Sequence, residues 1–485
     1  MNNKKYIGVT IGPIYQTFSK ARKLKEFWCV SYLFSHIMKL ITKKVYDKKY
    51  SIILPTINDT NIFHEKRVGL FPDWLIFESS NNAYNNMSTY ILEAIQETSK
   101  LLSASKSKQV YDFLCDYLKI YYIELSVPFH ENPNVFIGEK LHQIELHNPI
   151  PSMDFVDHLY QIFDEIDKSS LYEEHYLENG KNLHHLSMIA IATKEFACNQ
   201  KYLNVIEKHK EDEDFFAELS KEATIDIKTY HKYVAIVKAD GDKIGRALCS
   251  ENAKPEELSN ILLQWGKNSR NYIDAYGGVP IYISGDDLFF FAPVVVDNNN
   301  NIITLIEEIS QNFNSLFENY TSDSKPTVSF GISITYYKYP LYEAMALCDE
   351  LLISAKNKGG NCAEMYILKH SGQIFTMNYV PSKCDLLNKF LQELSENHNV
   401  LINSVSHHLR ENEEIFSIIS SDKDRISAFF ENCIESSNTT ITKIIRDITI
   451  EKCTQKNGSY KEKIHEVYSI IRIVKFLKGL DKNDK

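Results

Sequence analysis

The 485-residue sequence has few of the residues that break or cross-link a chain, with 17 glycines, 13 prolines and nine cysteines. Its 44% of hydrophobic residues exclude a collagen-like, low-complexity or wholly disordered chain. The cysteine number is odd and no two cysteines have C-x-x-C spacing. This argues against a disulfide framework or a self-contained zinc knuckle and fits a reducing cytoplasm. The sequence also lacks a signal peptide and any run of about 18 apolar residues, so we expect a cytoplasmic protein with no membrane partner.

Basic residues are also fewer than acidic ones. The sequence has 54 lysines and arginines and 64 aspartates and glutamates, which gives a net charge of −10. Such a chain does not coat free nucleic acid through its bulk field. Any contact with nucleic acid must therefore be local or come through partner subunits. The length corresponds to about three domains of roughly 150 residues each.

The first half of the chain has two different hydrophobic patterns. An apolar strand over 6–11 precedes a long helical pattern, whose apolar residues recur at intervals of three and four. Further strand signals, at 69–77 and 120–127, predict a first α+β domain at 1–127. Residues 128–225 are polar and helical without strand alternation, and we predict a helical connecting region there.

The segment 226–372 has the sharpest pattern. A strand from 233 ends at Asp240, a helix begins at Pro255, and two strands meet in a hairpin at 284–287. A second helix, a strand and a third helix follow. The order β-α-β-β-α-β is that of a ferredoxin-like domain. Beyond it, residues 373–485 have a helical period and predict a C-terminal helical domain.

Three carboxylates carry the candidate chemistry: Asp240 at the end of the first strand of this unit, and Asp286 and Asp287 on the hairpin. In this topology the first strand lies beside the hairpin, so the three side chains are expected to meet. Carboxylates held that close repel one another unless divalent cations lie between them. Mg²⁺ favours such sites when substrate phosphates complete its shell. Two ions about 4 Å apart can activate a hydroxyl and stabilise a pyrophosphate leaving group.

A phosphate-binding side is predicted from the residues around these carboxylates. The turn after Asp240 offers backbone N–H groups that can line a triphosphate, and Lys356 is a candidate phosphate clamp. The predicted nucleotide-binding residues are Gly241, Asp242, Lys243, Ser284, Gly285 and Lys356. Together these parts indicate nucleotidyl transfer, in which a ribose hydroxyl attacks the α-phosphate of a nucleoside triphosphate. An Asp-Asp turn taken alone is usually only a solvated hairpin.

Five stretches resemble one family. The hairpin ISGDDL (283–288) resembles the Gly-Gly-Asp-Asp motif of palm-type cyclases and polymerases, and KADGDKIGRAL (238–248) resembles their metal-binding first strand. The stretches at 327–334 and 346–365 resemble the later strand and the helix with its Ala-Lys pair. The stretch at 11–37 resembles the start of the first palm domain in the large subunit of type III-B, Cmr-type CRISPR effector complexes. This last likeness separates the chain from bacterial diguanylate cyclases.

The resemblance implies two ferredoxin-like palm domains of the nucleotidyl cyclase type, a helical connecting region and a C-terminal helical domain. It implies a nucleotidyltransferase that converts ATP into a second messenger, typically a cyclic oligoadenylate, when the surrounding complex binds target RNA. Asp240, Asp286 and Asp287 would bind two Mg²⁺ or Mn²⁺ ions, Asp286 and Asp287 would be catalytic, and Lys356 would contact phosphate. The implied partners are the other Cmr-type subunits and, through them, guide RNA and target RNA.

The sequence departs from that family in three respects. Ser284 replaces the first glycine of the hairpin motif. No cysteines correspond to the family's zinc element. An N-terminal HD nuclease domain is not expected, because five residues precede the first strand and no His-Asp dipeptide occurs, so we expect no DNA cutting by this chain.

Two alternatives keep part of this interpretation. In one, the same site transfers AMP from ATP to a different acceptor, such as S-adenosylmethionine, with Ser284 reshaping the acceptor pocket. In the other, the chain is a catalytically silent scaffold of the RNA-guided complex. The intact aspartates argue against a scaffold, since a silent domain has no physical need to crowd three carboxylates.

Overall fold

The computed structural model of the protein contains two β-sheets and a series of helices. It describes residues 4–57, 59–64, 68–80, 82–128, 131–146, 187–208, 215–222, 225–248, 254–320, 325–420, 422–434, 439–454 and 458–481. No helix within these ranges is long and apolar enough to cross a membrane.

Within these described ranges, ten strands are defined in chain order. They are β1 (Lys4–Gly12), β2 (Ile52–Leu54), β3 (Trp74–Glu78), β4 (Lys119–Val127), β5 (Tyr233–Asp242), β6 (Val279–Ser284), β7 (Asp287–Pro293), β8 (Thr327–Tyr336), β9 (Ala363–Leu368) and β10 (Ile374–Tyr379).

The described helices are numbered in the same way. They are α1 (Ile14–Phe18), α2 (Leu24–Asp47), α3 (Ala83–Leu102), α4 (Ser107–Tyr117), α5 (Pro133–Glu145), α6 (Met188–Ala192), α7 (Gln200–Lys208), α8 (Phe215–Glu222), α9 (Ile244–Leu248), α10 (Pro255–Tyr276), α11 (Ile302–Leu316), α12 (Leu341–Asn357), α13 (Asp385–Glu393), α14 (Asn399–Glu411), α15 (Phe416–Ile419), α16 (Lys423–Cys433), α17 (Thr440–Cys453) and α18 (Tyr460–Leu477).

The first sheet has the strand order β2-β3-β1-β4, with every neighbouring pair antiparallel. Together with the helices between its strands, it is the first palm. The central strand β1 places Ile7, Val9 and Ile11 on the face toward the main core, while Tyr6 and Gly8 on its other face are covered by Ile137 and Leu141 of α5. The predicted apolar face of α2 is confirmed, because all of its residues are buried, namely Leu24, Phe27, Val30, Phe34, Ile37 and Ile41. The sequence missed β2, which has only three residues.

The second sheet has the order β10-β9-β8-β5-β7-β6. Its part from β5 to β8, with the helices between, repeats the arrangement of the first sheet and is the second palm. Helix α10 begins with Pro255 in its first turn and ends at Gly277, which has a φ of +87°, as the sequence predicts. The prediction of two ferredoxin-like domains is confirmed.

Two details of the second sheet differ from the sequence prediction. Strand β5 does not end at Asp240 but continues through Gly241 and Asp242, which pair with Val328 and Thr327 of β8. The predicted phosphate-lining turn therefore lies within a sheet ladder. The sheet also extends past residue 372, because β9 runs parallel to β8 and β10 pairs antiparallel with β9.

Helix α12 connects β8 to β9 and lies directly on the sheet. Gly331 of β8 makes this close approach possible: a Cβ added there would lie 2.4 Å from the carbonyl oxygen of Cys348 and 2.6 Å from the amide nitrogen of Leu352. The helix is thereby held against β5 and β8, with its last turn near the end of β5.

The two palms contact each other beside the hairpin. Gly69, in the loop before β3, forms a parallel bridge with Tyr282 of β6. The amide of Ile283 also donates to the carbonyl oxygen of Gly69 over 3.4 Å. Farther along, the amide of Thr56 donates to the hydroxyl of Ser259 over 3.1 Å. These contacts place the loop before β3 next to the candidate site.

Candidate active site

The β6–β7 hairpin has a two-residue turn whose tip is Gly285 and Asp286. Ser284 and Asp287 form the last pair of the ladder. Gly285 has a φ of +60°, a conformation that glycine adopts without steric cost. Local sequence therefore sets this turn, which leaves Asp286 and Asp287 at the end of the hairpin.

The register of β5 brings Asp240 to the same place. The last rung between β5 and β7 joins Ala239 to Leu288, so the next residues of the two strands are Asp240 and Asp287. Gly241 lets the turn come close, since a Cβ added there would lie 2.7 Å from the Cβ of Asp286 and 3.0 Å from its Oδ2. The structure thus brings together all three carboxylates named by the sequence.

This crowding is visible in the electrostatics of the hairpin. Desolvation raises the pKa of Asp286 from 3.8 to about 6, and the charge of Asp240 adds to the rise. The pKa of Asp287 is raised to about 8 by desolvation and then by the charges of Asp240 and Asp286, although the residue is open to solvent on one side. Desolvation and the neighbouring negative charges together disfavour the ionised form of both groups.

Lys356 is the nearest cation in the described site. It lies in the last turn of α12, and its ammonium group forms an ion pair with Asp240. The same positive charge lowers the pKa of Asp286 and of Asp287 against the larger effects that raise them. Lys356 therefore lies where the sequence predicts a phosphate clamp, but in this structure its partner is a carboxylate.

Asp242 has a different place from the one that the sequence predicts. It is buried, and its carboxylate accepts hydrogen bonds from the hydroxyls of Thr327 (2.8 Å) and Ser329 (2.9 Å) and from the amide of Asn361 (2.8 Å). Gly360 packs on the carboxylate with a φ of +77°. Asp242 therefore joins β5 to β8 and to the loop after α12, and is a positioning residue rather than part of a phosphate-lining turn.

The two other predicted nucleotide-binding residues flank the carboxylates. Lys243 has a φ of +65° and ends β5 before the short helix α9. Ser284 is buried, and its hydroxyl interacts with that of Tyr282, two residues earlier on the same face of β6.

Two family profiles match the chain. The profile described as the second palm domain of Cas10/Cmr2 covers residues 233–363, which include the hairpin, Asp240 and Lys356. The profile of the N-terminal part of the CRISPR-associated protein Cmr2 covers residues 6–108. The chain belongs to the Cas10/Cmr2 family. No curated protein shows significant sequence similarity to it.

Chains of the type III-B Cmr-beta complex share the fold of this Cas10/Cmr2 chain. A chain of the type III-B Cmr-beta complex in its apo state, determined by cryo-EM, has a TM-score of 0.61 at 10% identity, over 99% of this chain and 82% of that one. The Cmr-beta complex bound to cognate target RNA gives 0.61 at 10% identity, over 97% and 83%. The Csm1–Csm4 cassette in complex with one ATP gives 0.47 at 13% identity, over 98% and 70%. At these identities the likeness to the Cmr-beta chains concerns the fold.

The donor set of the Cas10/Cmr2 site fits a divalent cation. Among the described residues, no three carboxylate, histidine or cysteine side chains already surround a single cation position. The three carboxylates nevertheless offer the oxygen ligands that Mg²⁺ and Mn²⁺ prefer. Asp240, Asp286 and Asp287 would hold such an ion, and Lys356 would then exchange its carboxylate partner for a phosphate.

The sequence missed one acidic residue near this site, Asp73 of the first palm. Asp73 directly precedes β3, and its charge contributes to the raised pKa of Asp287. The signal that could have identified it was an aspartate immediately before an apolar strand, the same local pattern as Asp287 before Leu288.

Proposed function

We propose that the chain is an ATP-dependent nucleotidyltransferase of a type III CRISPR complex, which produces a second messenger of the cyclic oligoadenylate type when target RNA binds. The observation that supports this most directly is the meeting of Asp240, Asp286 and Asp287 at one end of the second palm, beside Lys356. Two bound divalent ions would lower the pKa of the attacking hydroxyl and offset the charge on the pyrophosphate.

Residues of the chain would bind the cations, bind a phosphate of ATP and position these groups. Asp240 and Asp287, at adjacent strand positions, would hold the cations from one side, and Asp286 would hold them from the hairpin tip. Lys356, freed from Asp240, would bind a phosphate of ATP. Asp242 would keep β5, β8 and the loop after α12 in register, so that Lys356 faces the carboxylates.

The proposed partners are the other subunits of a Cmr-type complex, with guide RNA and target RNA reached through them. The family assignment supports this proposal, and so does the fold shared with the Cmr-beta chain, whose structures include one bound to cognate target RNA. The negative net charge of −10 also favours RNA contact through partners rather than through this chain alone.

The two alternatives receive less support. Ser284, the residue behind a different acceptor such as S-adenosylmethionine, is buried and engaged with Tyr282 rather than lining an open pocket. A silent scaffold would keep a cluster of carboxylates whose ionised forms disfavour one another, although it would catalyse no reaction that needs them. Both are tested by product analysis: mass spectrometry identifies the acceptor, and the absence of any product would favour the scaffold.

The proposal is tested with the assembled complex, target RNA, ATP and Mn²⁺, by measuring pyrophosphate release. The double variant Asp286→Ala and Asp287→Ala should lose at least about 100-fold of the rate, because it removes the groups that hold the charge-stabilising ions. Glu318→Ala, which removes an exposed carboxylate of the same palm, is the matched control and should keep the rate. Unchanged turnover in the double variant would contradict the assignment.

A further inference from the structure

We propose that Asp73 is a fourth carboxylate of this site, supplied by the first palm, and that it binds the attacking ribose hydroxyl of the acceptor nucleotide. This inference rests on the proposed nucleotidyl transfer and adds to it a residue that recognises the acceptor.

The position of Asp73 repeats that of Asp287 in the other palm. In the first palm the last rung between β1 and β3 joins Thr10 to Trp74, and Asp73 is the residue before Trp74. In the second palm the last rung joins Ala239 to Leu288, and Asp287 is the residue before Leu288. The two sheets also share the strand order of a ferredoxin-like domain. The two aspartates therefore occupy equivalent places in two copies of one fold.

The contact between the two palms brings the starts of β3 and β7, where the two aspartates lie, to the same side of the molecule. Gly69, four residues before Asp73, bridges to Tyr282, five residues before Asp287. The Tyr282 side chain lies near both carboxylates, since the charges of Asp73 and Asp287 both act on its hydroxyl. The charge of Asp73 also adds to the raised pKa of Asp287, after the larger effects of desolvation and of the charges of Asp240 and Asp286.

The backbone around Asp73 is held firmly. Its carbonyl oxygen accepts from the amide of Ile11 over 3.2 Å. The neighbouring Trp74 donates its indole N–H to Glu145 over 2.8 Å, and its ring packs against Gly138 of α5. A carboxylate at the start of such an anchored strand can orient a ligand, because the strand holds it in a fixed position.

The Asp73 carboxylate differs from its neighbours in its partners. Asp240 is paired with Lys356 and Asp242 with two hydroxyls and an amide. In the part of the chain that the structure describes, no lysine or arginine forms an ion pair with Asp73, and the residue reaches solvent. Desolvation and then the charge of Glu145 raise the pKa of Asp73 to about 6, so the group is still mostly ionised above pH 7. A carboxylate with this freedom can accept a hydrogen bond from an incoming group.

The negative charge of Asp73 determines which ligand group it can bind. A triphosphate is repelled by a carboxylate, whereas a sugar hydroxyl is a neutral donor that a carboxylate accepts well. In the reaction, the hydroxyl oxygen forms a bond to the α-phosphorus, and the bond from that phosphorus to the bridging oxygen breaks. Its electron pair leaves with pyrophosphate, and the hydroxyl proton passes to solvent. Asp73 would hold the hydroxyl on the face of the α-phosphate opposite the leaving group.

The test uses the complete complex activated by target RNA, with Asp73→Asn and Asp73→Ala. Both should lower kcat for pyrophosphate release, the alanine variant by about 10- to 100-fold and the asparagine variant by less, because its amide oxygen still accepts a hydrogen bond. A non-hydrolysable ATP analogue with Mn²⁺ should bind the donor position in the second palm with near wild-type affinity, since that palm is intact, and only the binding of a second analogue molecule at the acceptor position should weaken. Asp59→Asn is the matched control, a first-palm carboxylate at the same junction whose neighbour is Lys267 at 3.6 Å.

The possible results separate this inference from the function on which it rests. Wild-type rates in both Asp73 variants would overturn the inference and leave the nucleotidyltransferase standing. A wild-type complex that releases no pyrophosphate would remove the function and the inference together. If Asp73→Ala lowers the melting temperature, Asp73→Asn decides: a reduced kcat with normal melting supports the acceptor role, and a normal kcat refutes it.

Discussion

Replacing Asp286 with asparagine should stabilise the metal-free chain at neutral pH, and the gain should vanish in acid. Desolvation, with the charge of Asp240 adding to it, raises the pKa of Asp286 from 3.8 to about 6 in the folded protein. Below about pH 4 the folded and unfolded states both hold the proton, so this group costs nothing. As the pH rises from 4 through 6, the unfolded chain releases its proton more readily, and the free energy of unfolding falls.

The size of the effect follows from the shift. About two pKa units at 1.36 kcal/mol per unit correspond to about 3 kcal/mol of destabilisation above pH 6. Asp287 is open to solvent, which screens its charge. The predicted change in the free energy of unfolding therefore comes from Asp286. Asparagine has nearly the same shape and no charge, and should recover up to about 3 kcal/mol at pH 7.5 in the presence of a chelator.

The assay is thermal or urea unfolding of the wild-type chain and Asp286→Asn at pH 4.5 and pH 7.5, with a chelator and with Mn²⁺. The wild type should gain more stability from Mn²⁺ at pH 7.5 than the variant, because bound cation relieves the same repulsion. Asp297→Asn is the control of opposite sign. Hydrogen bonds from the Asn300 side chain and from the Asn299 amide lower the pKa of Asp297, so its replacement should reduce stability at neutral pH.

A stability difference between Asp286→Asn and the wild type that does not change from pH 4.5 to pH 7.5 would refute this reasoning. It would mean that the Asp286 carboxyl in solution is neither desolvated nor close enough to Asp240 for its ionised form to be disfavoured. The proposed cation site would then lose its main physical argument.

Two further predictions concern residues that position the site. Gly331→Ala should lower both the melting temperature and the rate of pyrophosphate release, because its Cβ would lie 2.4 Å from a carbonyl oxygen of α12 and displace the helix that carries Lys356. Gly245→Ala, which meets open space, should change neither in thermal melts and steady-state assays. Asp242→Asn should cost about 2 kcal/mol in urea unfolding, because one of its oxygens is lost as an acceptor for buried donors; an unchanged midpoint would contradict its positioning role.

Periodic patterns in the sequence were enough for the elements that depend on local spacing. Helix α2 was predicted from apolar residues at intervals of three and four, and the structure buries all of them. It also buries Ser31, Ser35 and His36. The Ser35 hydroxyl accepts from the amide of Phe71 over 2.8 Å in the loop before β3, and the helix additionally contacts β6 of the second palm. One-sided burial was thus an underestimate, since a single sequence does not reveal a second layer of protein.

The strands β9 and β10 were missed for a related reason. Each has only six residues, with polar positions such as Glu364 and Asn378. Their pairing with β8 depends on the crossover through α12, a long-range connection that local alternation does not contain. The extension of β5 through Asp242 was missed because its last residues read as a polar turn, whereas the hydroxyls that satisfy them come from β8.

The sequence alone determined which carboxylates this Cas10/Cmr2 chain offers and where the hairpin turns, because strand order and a glycine-tipped turn are encoded within short stretches. Only the tertiary structure decided how each carboxylate is used: Asp240 paired with Lys356, Asp242 withdrawn into the sheet, and Asp73 brought from the other palm. The physical reason is that these contacts join residues 85 or more positions apart, and the strength of a charge interaction depends on distance in space rather than along the chain.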